Sequence, residues 1–211
     1  HGTPYTNDSR MEDVNVSYTR TFSHTGWQAL YVPFAMPYGE WSEKGKVAQL
    51  TGVSGTAEAP VLEWTTVTEG SLEANKPYII KPTSEGEVTF SAQGAALEAA
   101  DNGTASVSGE GGTFTLTGIY LEKTDMMSSG AYGLSGGEFR RDGSDTQTLK
   151  PYLIDLTVSA AAQQSPTKVS SRVDGEATAI SGIGIDGTTG TRHDLTGREA
   201  AKSAKGIIIE N

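Results

Sequence analysis

Cysteine is absent from this 211-residue chain, which excludes disulfide bonds, thiol catalysis and thiolate metal sites. Clusters of basic residues are missing too: the 16 Lys and Arg residues are scattered, and 26 acidic residues give a formal net charge of −10. Nucleic acids and anionic membranes are bound through grouped cations that neutralise phosphates. The charge pattern therefore disfavours both kinds of partner.

Long hydrophobic runs are also missing. No apolar stretch reaches the roughly 18 residues that a membrane-spanning helix needs, so the sequence predicts no membrane span. The chain begins at His1 rather than at Met, and we expect it to be a mature or excised piece of a longer precursor.

Motifs that carry catalysis or bind metal ions do not occur. The three histidines, His1, His24 and His193, have no spacing that puts two imidazoles on one metal ion. The serine in "GVSGT" at 52–56 lacks the surroundings of a nucleophile elbow, and spacing singles out no pair of carboxylates for glycoside hydrolysis. We therefore predict no catalytic residue, no metal site and no cofactor.

Short segments with strand patterns make up most of the chain. In "VNVSYTRTF" at 14–22, apolar side chains alternate with polar ones, which is the period of a β-strand. Similar segments recur between glycine-rich turns, and "LSGGEF" at 134–139 indicates a tight hairpin. The predicted fold is an all-β antiparallel sandwich, jelly-roll-like or Ig-like, with at most a short helical turn near 38–45.

The domain organisation follows from where this pattern stops. We predict a β-sandwich module over 10–158, a linker over 159–177, where the residues are small, polar and aperiodic, and a C-terminal tail over 178–211. The tail has weak strand patterns that indicate a short β-hairpin. We expect the tail to be separable, so that a chain ending at Val158 folds.

Aromatic side chains are the remaining candidates for a ligand site, because sugar rings stack on them. On strands, however, aromatic residues usually belong to the core, and we assign Trp27 and Trp64 to it. Trp41 lies in the turn-like "YGEWSEK" and is predicted to be at least partly exposed. Trp41 and Tyr38 are therefore the predicted ligand-binding residues.

Several segments of the chain resemble, in order, a β-rich module of surface and secreted proteins of Bacteroides and Prevotella-type bacteria. These segments are "YTRTFSHTGWQALYVPF", "GSLEANKPYIIKP", "TGIYLEK", "AYGLSGGEFRR" and "LKPYLIDL". The resemblance covers about 14–158 and implies a secreted or outer-surface location. It implies no catalytic residues.

The tail resembles C-terminal sorting or anchoring segments of exported proteins from the same bacteria. The matching residues are Asp194, Leu195, Gly197, Arg198, Lys205, Gly206 and Ile207. The resemblance implies a secretion machinery as a partner of the tail.

From these observations we expect a non-enzymatic structural or interaction module. Adhesion, or the binding of a glycan or a host protein, is the role that fits it. The alternative is a carbohydrate-active accessory or hydrolytic domain.

Overall fold

A computed structural model describes residues 3–126, 128–141, 148–159 and 166–178, together with the backbone of 192–193 and 209–210. The strands of the larger part are β1 (Met11–Phe22), β2 (Gln28–Leu30), β3 (Met36–Pro37), β4 (Gly45–Gly55), β5 (Pro60–Thr66), β6 (Ser71–Leu72), β7 (Tyr78–Pro82), β8 (Gly86–Leu97), β9 (Thr104–Gly109), β10 (Gly112–Ile119), β11 (Tyr132–Ser135), β12 (Glu138–Arg140), β13 (Leu153–Ser159), β14 (Lys168–Val173) and β15 (Glu176–Ala177). Within these residues one short helix occurs, α1 (Tyr38–Trp41). The predicted all-β class is confirmed, whereas the jelly-roll-like or Ig-like detail stays a prediction.

The largest sheet of the described residues contains 11 strands. Its order is β2-β7-β4-β5-β14-β12-β11-β13-β10-β9, and β15 pairs with β14. Its pairs are antiparallel except that β14 runs parallel to β5. Strands from distant places in this order also meet, since β2 contacts β13 and β4 contacts β9. The sheet is therefore curled around a core.

The hairpin predicted from "LSGGEF" joins β11 to β12. Leu134 pairs with Phe139 and Ser135 with Glu138, which leaves Gly136 and Gly137 as the two turn residues. Both glycines have positive φ, 59° and 82°. A two-residue turn with both φ values positive matches the right-handed twist of the strands, and glycine adopts it at little steric cost. This prediction is confirmed.

Strands β2, β7 and β4 carry buried apolar side chains on both faces because they separate two cores. On β7, Ile79 belongs to the core inside the curled sheet, and Ile80 belongs to a second core. On β4, Ala48 belongs to the core inside the curled sheet and Val47 belongs to the second core. All four side chains are at most 1% exposed. Burial on both faces explains why "PYIIK" shows no alternation of apolar and polar residues.

The second core is covered by β1 and β8, which form a separate two-stranded antiparallel sheet. Tyr18 and Phe22 on β1 and Phe90 on β8 are buried in it. On the outer face, the hydroxyls of Thr19 and Thr89 lie 2.8 Å apart and share a hydrogen bond. The alternation that predicted this strand therefore reflects one buried face and one polar face.

Strand β14 lies inside the stretch 159–177, so the linker predicted there is wrong for residues 168–173. The backbone of β14 pairs with β12 on one side and β5 on the other. Its inward residues are Val169, Ser171 and Val173, all of them buried. Because the middle inward residue is a serine, the sequence hides the apolar alternation. The first compact unit consequently extends to Ala179 rather than ending at 158.

Residues 180–211 form a second compact unit. Its described residues are β16 (Arg192–His193) and β17 (Ile209–Glu210), which pair antiparallel with His193 opposite Ile209. The residues matched to sorting tails, between Asp194 and Ile207, lie outside the described residues, and their role stays a prediction.

Candidate functional site

A cavity of about 230 Å³ opens between the end of β1, the start of β2 and the hairpin turn of β11 and β12. Its polar and aromatic lining consists of Arg20, Ser23, His24, Trp27, Gln28 and Ser135. We call this cavity the Arg20 pocket. Its apolar wall includes Leu134 from β11 and Leu153 and Ile154 from β13, so three separate parts of the chain form it.

Arg20 is placed in the pocket by the alternation of β1. It lies between Tyr18 and Phe22 on the strand face that points toward the second core. Its guanidinium carbon is 4.8 Å from the ring centroid of Phe22, within the range of a cation–π contact. The residue is 5% exposed, which is rare for arginine.

Hydrogen bonds hold the guanidinium group against the start of β2. Nη1 donates to the carbonyl oxygen of Ala29, and Nη2 donates to Oε1 of Gln28 at 3.0 Å. The Gln28 side chain is fixed in turn, because its Nε2 donates to the carbonyl oxygen of His24 at 2.7 Å. Nε of Arg20 is buried and has no hydrogen-bond partner in the structure. The hydrogen-bond acceptors that orient the group are therefore neutral.

Two other charged side chains of the described residues are buried, and both have partners of opposite charge. Glu138 accepts hydrogen bonds from Lys168 at 3.0 Å and Arg140 at 2.8 Å, and Asp155 accepts one from Lys123 at 2.6 Å. Arg20 forms no ion pair with any residue that the structure describes. Burial lowers its pKa, and the nearby Tyr18 hydroxyl opposes this shift.

The turn after β1 supplies the outer groups of the pocket. Nδ1 of His24 accepts a hydrogen bond from the backbone N–H of Gly26 at 3.1 Å. The neutral ring therefore carries its proton on Nε2, which is a donor. Trp27 follows in the chain and is half-buried, with part of its indole packed against the core. This turn thus places a ring N–H and an aromatic surface at the pocket.

Comparison with protein-family models, with curated proteins and with solved structures found no match to this chain.

The exposure predicted for Trp41 is wrong. Trp41 is 1% exposed and lies in the second core, whereas Tyr38 is 41% exposed. Their rings meet edge to face, with centroids 4.9 Å apart. The helix α1 explains this difference, because it contacts β3 and β8 and turns Trp41 inward. Neither residue lines the Arg20 pocket.

The other two tryptophans differ in a way that the strand patterns did not show. Trp64 is 2% exposed and stacks on Phe139, so its assignment to the core is confirmed. Trp27 packs on the same core but is only partly buried, and its other side lines the Arg20 pocket. Because β2 begins at Gln28, Trp27 lies before the strand and is not enclosed by it.

Arg20 itself was missed by the search for chemical motifs. Its signal was available in the alternation of "VSYTRTF", because a residue midway between Tyr18 and Phe22 must share their buried face. A charged residue at such a position is a candidate functional residue, since burial of a charge is costly. Sequence alone, however, does not show whether a carboxylate from elsewhere in the chain neutralises it.

The described part of the chain contains neither a cluster of metal ligands nor a membrane-spanning helix. No group of three or more His, Cys, Asp or Glu side chains there is arranged to hold a metal ion. Nor does that part contain a helix long and apolar enough to cross a membrane.

Proposed function

We propose that this chain is a non-enzymatic interaction module that binds a saccharide in the Arg20 pocket. The observation that carries the proposal is the placement of the half-buried Trp27 indole beside hydrogen-bonding side chains in one cavity. Sugar rings offer apolar C–H faces and a rim of hydroxyls, so they need an aromatic surface together with donors and acceptors. Ser23, Gln28 and Ser135 supply the latter.

The lining of the pocket favours binding over hydrolysis. Glycoside hydrolysis uses two carboxyl groups on either side of the scissile bond. Among the described residues, the lining of the Arg20 pocket contains neither Asp nor Glu. The proposed module therefore holds its ligand and leaves the ligand unchanged.

The proposed setting is secreted or on the outer cell surface. It rests on the resemblance of residues 14–158 and of the tail to exported bacterial proteins, with a secretion machinery as the proposed partner of the tail. We expect removal of 178–211 from the whole precursor to reduce surface delivery, measured by protease accessibility on intact cells. Unchanged delivery would contradict the role of the tail.

A glycan array probed with the full chain tests saccharide binding, followed by titration of the hits with purified variants. We expect Trp27→Ala to weaken binding about tenfold or more, which corresponds to about 1.4 kcal/mol. Tyr38→Ala is the matched control, because Tyr38 is an exposed aromatic residue outside the pocket. The reverse result, with Tyr38→Ala losing binding and Trp27→Ala keeping it, would move the site to α1. An array without hits would overturn the proposed function.

A further inference from the structure

The Arg20 guanidinium is a buried cation for which the structure describes no anion. Transfer of a charge out of water costs several kcal/mol in real proteins unless a partner compensates for it. Arginine does not escape this cost by losing its proton in proteins. The two buried carboxylates, Glu138 and Asp155, follow the rule, with cation nitrogens at 2.6–3.0 Å. Arg20 does not follow this rule, and its side chain lines a cavity.

The donors of Arg20 are only partly used. A guanidinium group has five N–H donors, and those recorded for Arg20 go to two neutral oxygens, of Ala29 and Gln28. None of the acidic residues that the structure describes lines the pocket. An anionic group that enters the cavity would therefore meet a cation with unused N–H donors, and no carboxylate of the described residues competes for them.

The size of the cavity limits the ligand. Drug-sized ligands occupy cavities of roughly 300–1,000 Å³. The Arg20 pocket, at about 230 Å³, suits a single sugar unit or a terminal group. The formal net charge of −10 repels long polyanions, whereas one anionic group in a partly desolvated site feels mainly the nearest cation. The planar guanidinium group can donate two parallel hydrogen bonds to a carboxylate.

We propose that the Arg20 pocket binds one acidic sugar unit, whose carboxylate pairs with the Arg20 guanidinium while its ring packs against Trp27. This inference rests on the proposed function and adds the class of ligand to it. Arg20 then selects for charge, and Trp27 with the neighbouring hydroxyls selects for a sugar.

The test on the unaltered full chain uses matched pairs of ligands. The probes are the methyl glycosides of glucuronic, galacturonic and N-acetylneuraminic acid, each with its neutral carboxamide, and methyl galactoside 6-sulfate. Titration is followed by the change in tryptophan fluorescence, which we expect to arise from Trp27 because Trp41 and Trp64 do not line the pocket. We expect at least one acid to bind tenfold or more tightly than its carboxamide. In ¹⁵N NMR, the Nε–H signal of Arg20 should shift with that acid and stay in place with the carboxamide.

Arg20→Met tests the cation, and Arg172→Met is its control because it removes the same charge from an exposed site. We expect Arg20→Met to abolish the preference for acid over amide and Arg172→Met to keep it. If Arg20→Met does not fold, the ligand pairs and the Nε–H signal on the unaltered chain decide the question.

The outcomes separate the two proposals. Equal binding of acid and amide would overturn the role of Arg20 and leave saccharide binding intact. Tighter binding of the sulfate than of every acid would overturn the carboxylate. Binding of acidic peptides without binding of any sugar would overturn the saccharide in both proposals, as would no binding at all.

Discussion

Two regions of the first unit differ in whether a buried charged side chain has a partner of opposite charge. The first is the β14 seam, formed by β14 with its neighbours β5 and β12, where Glu138 is buried between Lys168 and Arg140. The second is the Arg20 pocket, where the guanidinium contacts two neutral oxygens and the ring of Phe22. In the seam, Lys168 and Arg140 neutralise the charge of Glu138. In the pocket, no described residue neutralises the charge of Arg20. From this comparison we expect substitutions in the seam to cost more stability than substitutions in the pocket, to which we assign the proposed ligand binding.

The seam also contains a filled apolar core. Trp64 and Phe139 stack with nearly parallel rings, 6.5 Å apart between centroids, and Val169 and Val173 belong to the same cluster. The end of β14 is tied to β5, because Asp174 accepts two hydrogen bonds from Thr66, at 3.0 and 2.6 Å. The Arg20 pocket, by contrast, contains an unfilled volume of about 230 Å³.

Removal of β14 is expected to lower the free energy of unfolding more than any single substitution. A chain ending at Val158 lacks the strand that joins β5 to β12, and it exposes the rings of Trp64 and Phe139. Since the net stability of a domain is about 5–15 kcal/mol, we expect this fragment to lose cooperative unfolding in urea. A chain ending at Thr178 keeps β14 and is the control, with an unfolding transition close to that of the full chain. A cooperative transition in the shorter fragment would restore the boundary at 158 that the sequence indicated.

Truncation of the two tryptophans compares seam and pocket directly. Trp64→Ala should lower the free energy of unfolding by about 3–5 kcal/mol, because it opens a cavity in a closed core. Trp27→Ala should cost about 1–2 kcal/mol, because the indole is only half-buried and water can fill the space. Urea unfolding of both variants measures the difference. Equal costs would mean that Trp27 is a core residue, as the strand pattern predicted.

The charge of Glu138 should make the seam sensitive to acid. Burial tends to raise the pKa of Glu138, but the hydrogen bonds and charges of Lys168 and Arg140 outweigh this and lower it. A lowered pKa in the folded state contributes stability above the unfolded pKa, about 4.3, and that stability is lost as the pH falls through the folded value.

Glu138→Gln should therefore cost about 1.5–3 kcal/mol at pH 7 and progressively less below about pH 4. Urea unfolding between pH 7 and pH 3 measures this convergence, with Glu122→Gln as the control, because Glu122 forms an exposed pair with Lys150. A difference that is independent of pH would contradict the role of the ion pairs.

Replacement of Arg20 should change stability least. Arg20→Met removes the uncompensated charge, which favours folding, and it also removes the hydrogen bonds to Ala29 and Gln28, which opposes folding. Because each hydrogen bond of a charged group contributes about 1.5–3 kcal/mol and the desolvation of the charge costs several kcal/mol, the two effects offset each other, and we expect a net change within about 1 kcal/mol of zero. Urea unfolding of the variant checks this, and a loss above about 3 kcal/mol would show that Arg20 is a structural residue.

Parts of the molecule with a local signal could be predicted from the sequence alone. The period-two pattern before Phe22 and the Gly136–Gly137 turn are such signals, because alternation and positive φ depend on neighbouring residues in the chain. The all-β class follows from many such segments. These features need no knowledge of which strands become neighbours.

Tertiary structure decided the features that depend on distant residues. Trp41 is buried because α1 contacts β3 and β8. Residues 168–173 form a strand because their backbone pairs with β5 and β12. Arg20 is a candidate binding residue only because the fold brings β2 and the β11–β12 turn to it, and no acidic side chain of the described residues lines the pocket. The sequence by itself determined that Arg20 shares a face with Tyr18 and Phe22. Whether a buried charge is neutralised depends on which strands pack around it, and that packing exists only in the folded chain.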